Sequence, residues 1–348
     1  MKRKYVLIGL AIGIVAMFFV LKTIPIGEVM TLFKNAKTTT IIGYVLSSVA
    51  ILLTVTWRWQ IILESQKIKI PFITLWGYRI VGYGISFLTP AAKLGGEPFR
   101  AGLLCRHNIK FSKGLSSVVI DKAIDLVFSA LFFFIGIIVI LFSLALPGLT
   151  EIAMLFFAII FMIGAIFFYK RMVSGQGFIM GAYKFLKLNR IKSFQLPEKK
   201  LVEFEALLIK FFRDDKKHFI MTVVASFISW IFMFFEFKFL GLILGYDLSF
   251  IGLFLIISLI GLAFLIPIPM ALGSMEASQV TVFSIIGENT AGGVALSFVV
   301  RARDLIWSAI GIILLSYYGV NVSSDIKKAY NPNGKHSKKK KLKSKKKK

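Results

Sequence analysis

Residues 126–146 read LVFSALFFFIGIIVILFSLAL, twenty-one positions without a charged side chain. A segment of that length covers a hydrocarbon core about 30 Å thick when it is coiled as an α-helix. Lipid offers no partner to a free backbone amide, so a helix is the form the run must take. Similar uncharged runs stand at 5–21, 152–169, 219–235 and 248–275. The whole 348-residue chain is 57% hydrophobic, with a mean hydropathy of +0.79. Soluble domains stay near 45–50% apolar, so these numbers point to an all-α polytopic integral membrane protein.

Charge sits mostly outside the apolar runs. The formal net charge is +26, and ten lysines fall within 335–348, leaving +16 for the other 334 residues. A terminal lysine run beside a membrane body marks a cytoplasmic face and anionic headgroups more readily than a nucleic-acid arm. Anionic membrane lipids are therefore the expected partners, and nucleic acid is not expected. A separate lipid-modifying enzyme is the other partner class considered. The single Cys105 forbids an internal disulfide and reads as a packing residue. The opening Met-Lys-Arg-Lys and its apolar run lack an obvious small-x-small cleavage site, so the first helix is expected to be retained.

Basic residues group at Lys2, Arg3 and Lys4, again at Arg58, Lys67 and Lys69, and twelve Lys or Arg lie between Lys170 and His218. The connections 147–151, 245–248 and 288–293 carry none. By the positive-inside rule both termini face the cytoplasm of a cell (plasma or inner) membrane, although three lysines in 22–40 dissent. Six full spans follow, near 5–21, 41–57, 115–146, 152–169, 219–246 and 294–320. Two segments resist that pattern. Residues 73–92 contain Gly77, Gly82, Gly84, Arg79 and Pro90, and residues 248–287 contain Pro267, Pro269, Gly273 and Glu276. Both read as broken or re-entrant hairpins, with breaks at Pro90, Gly96, Pro267, Pro269 and Gly273. The basic stretch 170–218 holds Leu201, Phe204, Leu207, Leu208, Phe211 and Phe212 at helical spacing, which fits a helix in the headgroup layer or one packed on the bundle. The expected organisation is a membrane-embedded domain over 1–325 and a disordered Lys-rich cytoplasmic tail over 326–348.

A shift of 179 residues aligns Gly82 with Gly261, Pro90 with Pro269, Glu97 with Glu276, Gly114 with Gly293 and Asp125 with Asp304, and sets Lys122 against Arg301. Shared apolar bias explains Leu and Ala matches but not Pro, Glu and Asp. The copies lie around 41–146 and 219–320. Three crossings separate their hairpins, so the second copy is expected to be inverted, the layout in which transporters build a midplane site from discontinuous helices.

Ionised side chains within apolar spans cost roughly 2.5–3.5 kcal/mol each at a helix centre and need partners or water. The candidates are Arg100, Lys122, Arg301 and Arg303 as binders of an anionic headgroup. Glu97, Asp121, Asp125, Glu276 and Asp304 would serve as their charge partners or as proton carriers. Guanidinium suits phosphate because it gives parallel hydrogen bonds and stays charged when desolvated. Lys122 and Asp125, like Arg301 and Asp304, stand three residues apart, within ion-pair reach on one helix face. The plainer reading is that these pairs clamp helices together. His107, His218 and His336 are too scattered for a metal site, and neither a phosphate-binding loop, a Gly-x-Ser-x-Gly elbow nor paired Cys ligands occur, so no cofactor, metal or catalytic residue is expected.

The string Leu88-Thr-Pro90-Ala-Ala-Lys-Leu-Gly-Gly96-Glu97-Pro-Phe-Arg100, with Asp121-Lys122-Ala-Ile-Asp125, resembles the lysylphosphatidylglycerol synthase transmembrane, flippase-like family. Pro267-Ile-Pro269 through Gly273 and Glu276, then Arg301, resembles that family's second signature. The likeness implies a polytopic fold that moves aminoacylated phosphatidylglycerol, or a related anionic or polyprenyl-linked lipid, between leaflets. Asp121-Lys122 stands where the family commonly has Glu-Arg, which weakens the case for bidentate phosphate binding there. The soluble aminoacyl-transfer domain of the two-domain synthases has no counterpart in this chain, so a transferase role is not implied. Two rivals remain: a membrane-embedded lipid transferase using Glu97 or Asp121 as base, and a non-catalytic partner of a separate synthase or glycosyltransferase.

Overall fold

The structure is a computed structural model and describes residues 26–88, 95–143, 148–177, 180–181, 198–264, 266 and 268–318. The expected span at 5–21, Pro90, Pro267 and the tail 326–348 lie outside the described residues. Among the described residues the regular elements are helical. In chain order they are α1 (Ile26–Asn35), α2 (Thr38–Ser65), α3 (Phe72–Leu88), α4 (Glu97–Leu104), α5 (Phe111–Ser143), α6 (Gly148–Val173), α7 (Glu198–Ile209), α8 (Lys216–Ile243), α9 (Phe250–Ala263), α10 (Ser274–Ile285) and α11 (Thr290–Tyr317).

Three of these helices are long and apolar enough to cross a membrane: α2, α5 through its Phe111–Val139 part, and α8. Apolar side chains also cover outward faces, as with Ile152, Phe156, Ile160, Ile163 and Phe167 of α6, all half exposed or more. Water would penalise such a surface, whereas acyl chains do not. The chain is an all-α multi-pass membrane protein.

Each expected span within the described residues has a helix, and each of these helices begins three or four residues ahead of the expected bound. The larger difference lies at the end of α2. It continues through Arg58 to Ser65, so Arg58, expected at a cytoplasmic boundary, is 3% exposed inside the bundle. The glycines of 73–92 do not break a helix. α3 runs unbroken past Gly77, Gly82 and Gly84, and these positions serve packing instead. A Cβ at Gly84 would lie 2.9 Å from the Ser308 carbonyl oxygen, and one at Gly311 2.6 Å from that of Ile80, so α3 and α11 cross in near backbone contact.

The second broken segment is irregular. Between α9 and α10 a short 3₁₀ turn, Pro269–Ala271, carries Met270 and Ala271 at φ 55° and 51°, and Gly273 follows at φ 79°. Left-handed backbone at two side-chain-bearing residues is uncommon and persists only when neighbours hold it. Met270 and Ala271 are fully buried, Met270 in one cluster with Phe87 and Leu305 and Ala271 in another with Met275 and Val300. The basic segment is helical at α7 and packs on the bundle: Leu208, Phe211 and Phe212 join Ile120, Ile124 and Phe128 of α5 in one core cluster.

Candidate functional site

Asp121 of α5 receives three guanidinium groups. Arg58 of α2 donates through Nε at 2.8 Å, Arg79 of α3 through Nη1 at 2.6 Å, and Arg100 of α4 through Nη1 at 3.0 Å. Asp121 is 1% exposed. One helix turn later, Asp125 pairs with Arg58 and Lys122, each at 3.3 Å. Four helices thus deliver charge to one place, and each ion is stable there only because its partners arrive with it.

Arg100 is the guanidinium least consumed by this arrangement. It donates once to Asp121, while its Nε and Nη2 are buried without a hydrogen-bond partner. Its guanidinium lies 4.0 Å above the Trp59 ring, which is itself fixed by a 3.1 Å bond from Nε1 to the Ser117 hydroxyl. A guanidinium held over an aromatic face is anchored without spending its N–H donors. The stem is cradled by Gly82, where a Cβ would sit 2.5 Å from Arg100 Cγ. Just before α4, the Gly96 amide donates to the Ser86 hydroxyl at 2.8 Å, and a Cβ at Gly96 would lie 1.9 Å from the Gly82 carbonyl oxygen. Glu97 begins α4, and its Oε2 is buried without a partner.

The second group of charges belongs to α11. Arg301, 1% exposed, pairs with Glu276 of α10, and its Nε and Nη2 are also buried and unpartnered. Glu276 turns its other oxygen back to the Gly273 amide at 2.9 Å, which fixes the start of α10. Arg303 bridges Glu236 of α8 at 2.5 Å and its neighbour Asp304 at 2.8 Å. The Tyr83 hydroxyl of α3 donates to Asp304 at 2.6 Å. Arg79 and Tyr83 are four residues apart, so one face of α3 serves both groups of charges.

Of the residues singled out in the sequence, Lys122 meets Asp125 as its spacing predicts. Arg301 does not take Asp304: Glu276 claims it, and Asp304 goes to Arg303 and Tyr83. Arg100 takes Asp121 rather than Glu97. Pro269 lies in the 3₁₀ turn, and Gly96 and Gly273 directly precede α4 and α10. Arg58, Arg79, Tyr83 and Glu236 join the site without being among the sequence candidates. The signal that could find them is a charge inside an apolar run, which Arg79 and Glu236 each display.

The family model described as lysylphosphatidylglycerol synthase TM region matches residues 6–311. A UPF0104 membrane protein of Methanothermobacter thermautotrophicus is 26% identical over 344 residues, covering 94% of this chain and 99% of that protein. A UPF0104 membrane protein of Pyrococcus horikoshii is 24% identical over 314 residues, covering 86% and 92%. No solved structure matches.

Proposed function

Because the chain belongs to the lysylphosphatidylglycerol synthase TM-region family, we propose that it moves an anionic or modified lipid, of the aminoacyl-phosphatidylglycerol or polyprenyl-linked type, between the leaflets of a cell membrane. The observation that carries this reading is the pair of buried guanidinium groups, Arg100 and Arg301, each with two N–H-bearing nitrogens unspent. Buried donors without acceptors are costly, and a phosphate oxygen is the acceptor they suit. Arg100, Lys122, Arg301 and Arg303 are the proposed headgroup contacts; Glu97, Asp121, Asp125, Glu276 and Asp304 are the proposed charge partners or proton carriers.

An inverted repeat supports alternating access. α2, α3, α4 and α5 begin at 38, 72, 97 and 111, and α8, α9, α10 and α11 at 216, 250, 274 and 290, offsets of 177 to 179 residues. The sequence alignment independently uses 179. Both termini are placed in the cytoplasm on the distribution of basic residues. A lipid transferase with Asp121 as base is disfavoured, because three guanidinium groups occupy its oxygens.

The test is leaflet exchange of labelled phospholipids in proteoliposomes. Wild-type protein accelerates exchange of an anionic lipid; Arg301→Ala abolishes the acceleration, and Arg301→Lys, which keeps the charge but loses the fork, retains only part of it. A wild-type protein inert toward every anionic lipid tried would remove the proposal.

A further inference from the structure

Arg303 is shared by two carboxylates, and the sum does not balance. Glu236 is 2% exposed and Asp304 0%, and both pair with Arg303. The other arginine of α11, Arg301, is committed to Glu276. Glu236, Asp304 and Arg303 together therefore carry one negative charge in excess, buried among helices.

Unused oxygens accompany that charge. Glu236 Oε1, Asp304 Oδ2 and the Tyr44 hydroxyl are buried with no hydrogen-bond partner. Tyr44 of α2 is 5% exposed and interacts electrostatically with Arg303, Glu236 and Asp304. Tyr83 of α3 already donates to Asp304 Oδ1 and so takes one oxygen of that carboxylate. The groups facing the excess charge are thus Tyr44 from α2, Tyr83 from α3, Glu236 from α8, and Arg303 and Asp304 from α11. Their oxygens can accept a cation, and the only fixed cation among them is already divided between two carboxylates.

The sister helix makes the opposite choice. Arg58 and Glu236 each stand twenty places after the first residue of their helices, Thr38 and Lys216. At that position α2 brings a cation to the carboxylates of α5, whereas α8 brings a carboxylate to the cation of α11. A clamp built only for stability would have no reason to invert the sign and leave a carboxylate in excess within its own group.

We propose that the oxygens of Glu236, Asp304 and Tyr44 form a buried site for one monovalent cation, H⁺ or Na⁺. The site does not depend on lipid being the cargo, since an ion that binds only the folded chain stabilises it whatever the protein moves. For either ion the sign is the same: a cation bound by the folded chain alone adds stability as its concentration rises. The remaining carboxylates are common to wild type and variant and cancel in the comparison.

The experiment follows the thermal unfolding midpoint of the full chain in nanodiscs at constant ionic strength. One arm replaces choline with Na⁺ at fixed pH; the other lowers pH without Na⁺. Wild-type protein gains stability in one arm, which identifies the ion, and Glu236→Gln and Asp304→Asn each lose that gain. Tyr44→Phe, which changes no charge, keeps the fold and shows a weakened response. The proposal fails if wild type responds in neither arm, or if the response survives at full size in the charge-neutral variants. Should those variants not fold, an unchanged response in Tyr44→Phe overturns it.

Discussion

Asp121 accepts from Arg58, Arg79 and Arg100 within 3.0 Å, and no other described carboxylate holds as many guanidinium partners. Removing one member of a buried ion group costs more than the group itself contributes, because the remaining charges stay desolvated. Asp121→Asn keeps the shape and leaves three arginines facing each other. It should lower stability by roughly 3–5 kcal/mol, the range for breaking a buried pair, read as a fall in unfolding midpoint in detergent. Arg58→Lys should cost less, since a single ammonium still reaches Asp121 but cannot span to Asp125. The sequence makes Asp121 conspicuous as a charge in an apolar setting. It does not reveal Arg58 as its partner, because Arg58 sits amid Trp57 and Trp59, a pattern equally suited to a membrane boundary. Only the extension of α2 by eight residues past 57 takes Arg58 indoors.

Among the elements, α3 and α11 are held by what is missing from their surfaces. Gly84 and Gly311 allow backbone to meet backbone, and any larger residue must push the helices apart. Gly311→Leu should destabilise by about 1–3 kcal/mol through overpacking and should also weaken the Tyr83–Asp304 bond, whereas Gly164→Ala, with open space around it, should change the midpoint little. Thermal unfolding of the pair decides. Length and hydropathy alone make the positions of α2, α5, α6, α8 and α11 legible, because a span is a one-dimensional property. The continuity of α3 is not legible in that way. Glycines that interrupt a soluble helix are compatible with one packed against neighbours, so Gly77, Gly82 and Gly84 mark close packing where their pattern suggests breaks. The irregular turn at Pro269–Ala271, by contrast, is anticipated by its proline.

For the molecule as a whole, the family and the multi-pass architecture are legible in the sequence, since the motifs carrying them are contiguous strings. The charge pairing is not, because Asp304 chooses between Arg301 and Arg303 by three-dimensional packing that spacing alone does not encode. The proposed topology makes its own prediction. A membrane-impermeant amine reagent applied to intact cells should leave the lysines of 335–348 unlabelled and modify them once the membrane is opened; labelling before opening would reverse the orientation. One further consequence follows from α3. Its Arg79 and Tyr83 are spokes on a single shaft, one seated on Asp121 of α5 and the other on Asp304 of α11. Rotating that shaft far enough to free one spoke should drag the other off its seat, so the two contacts are expected to part together.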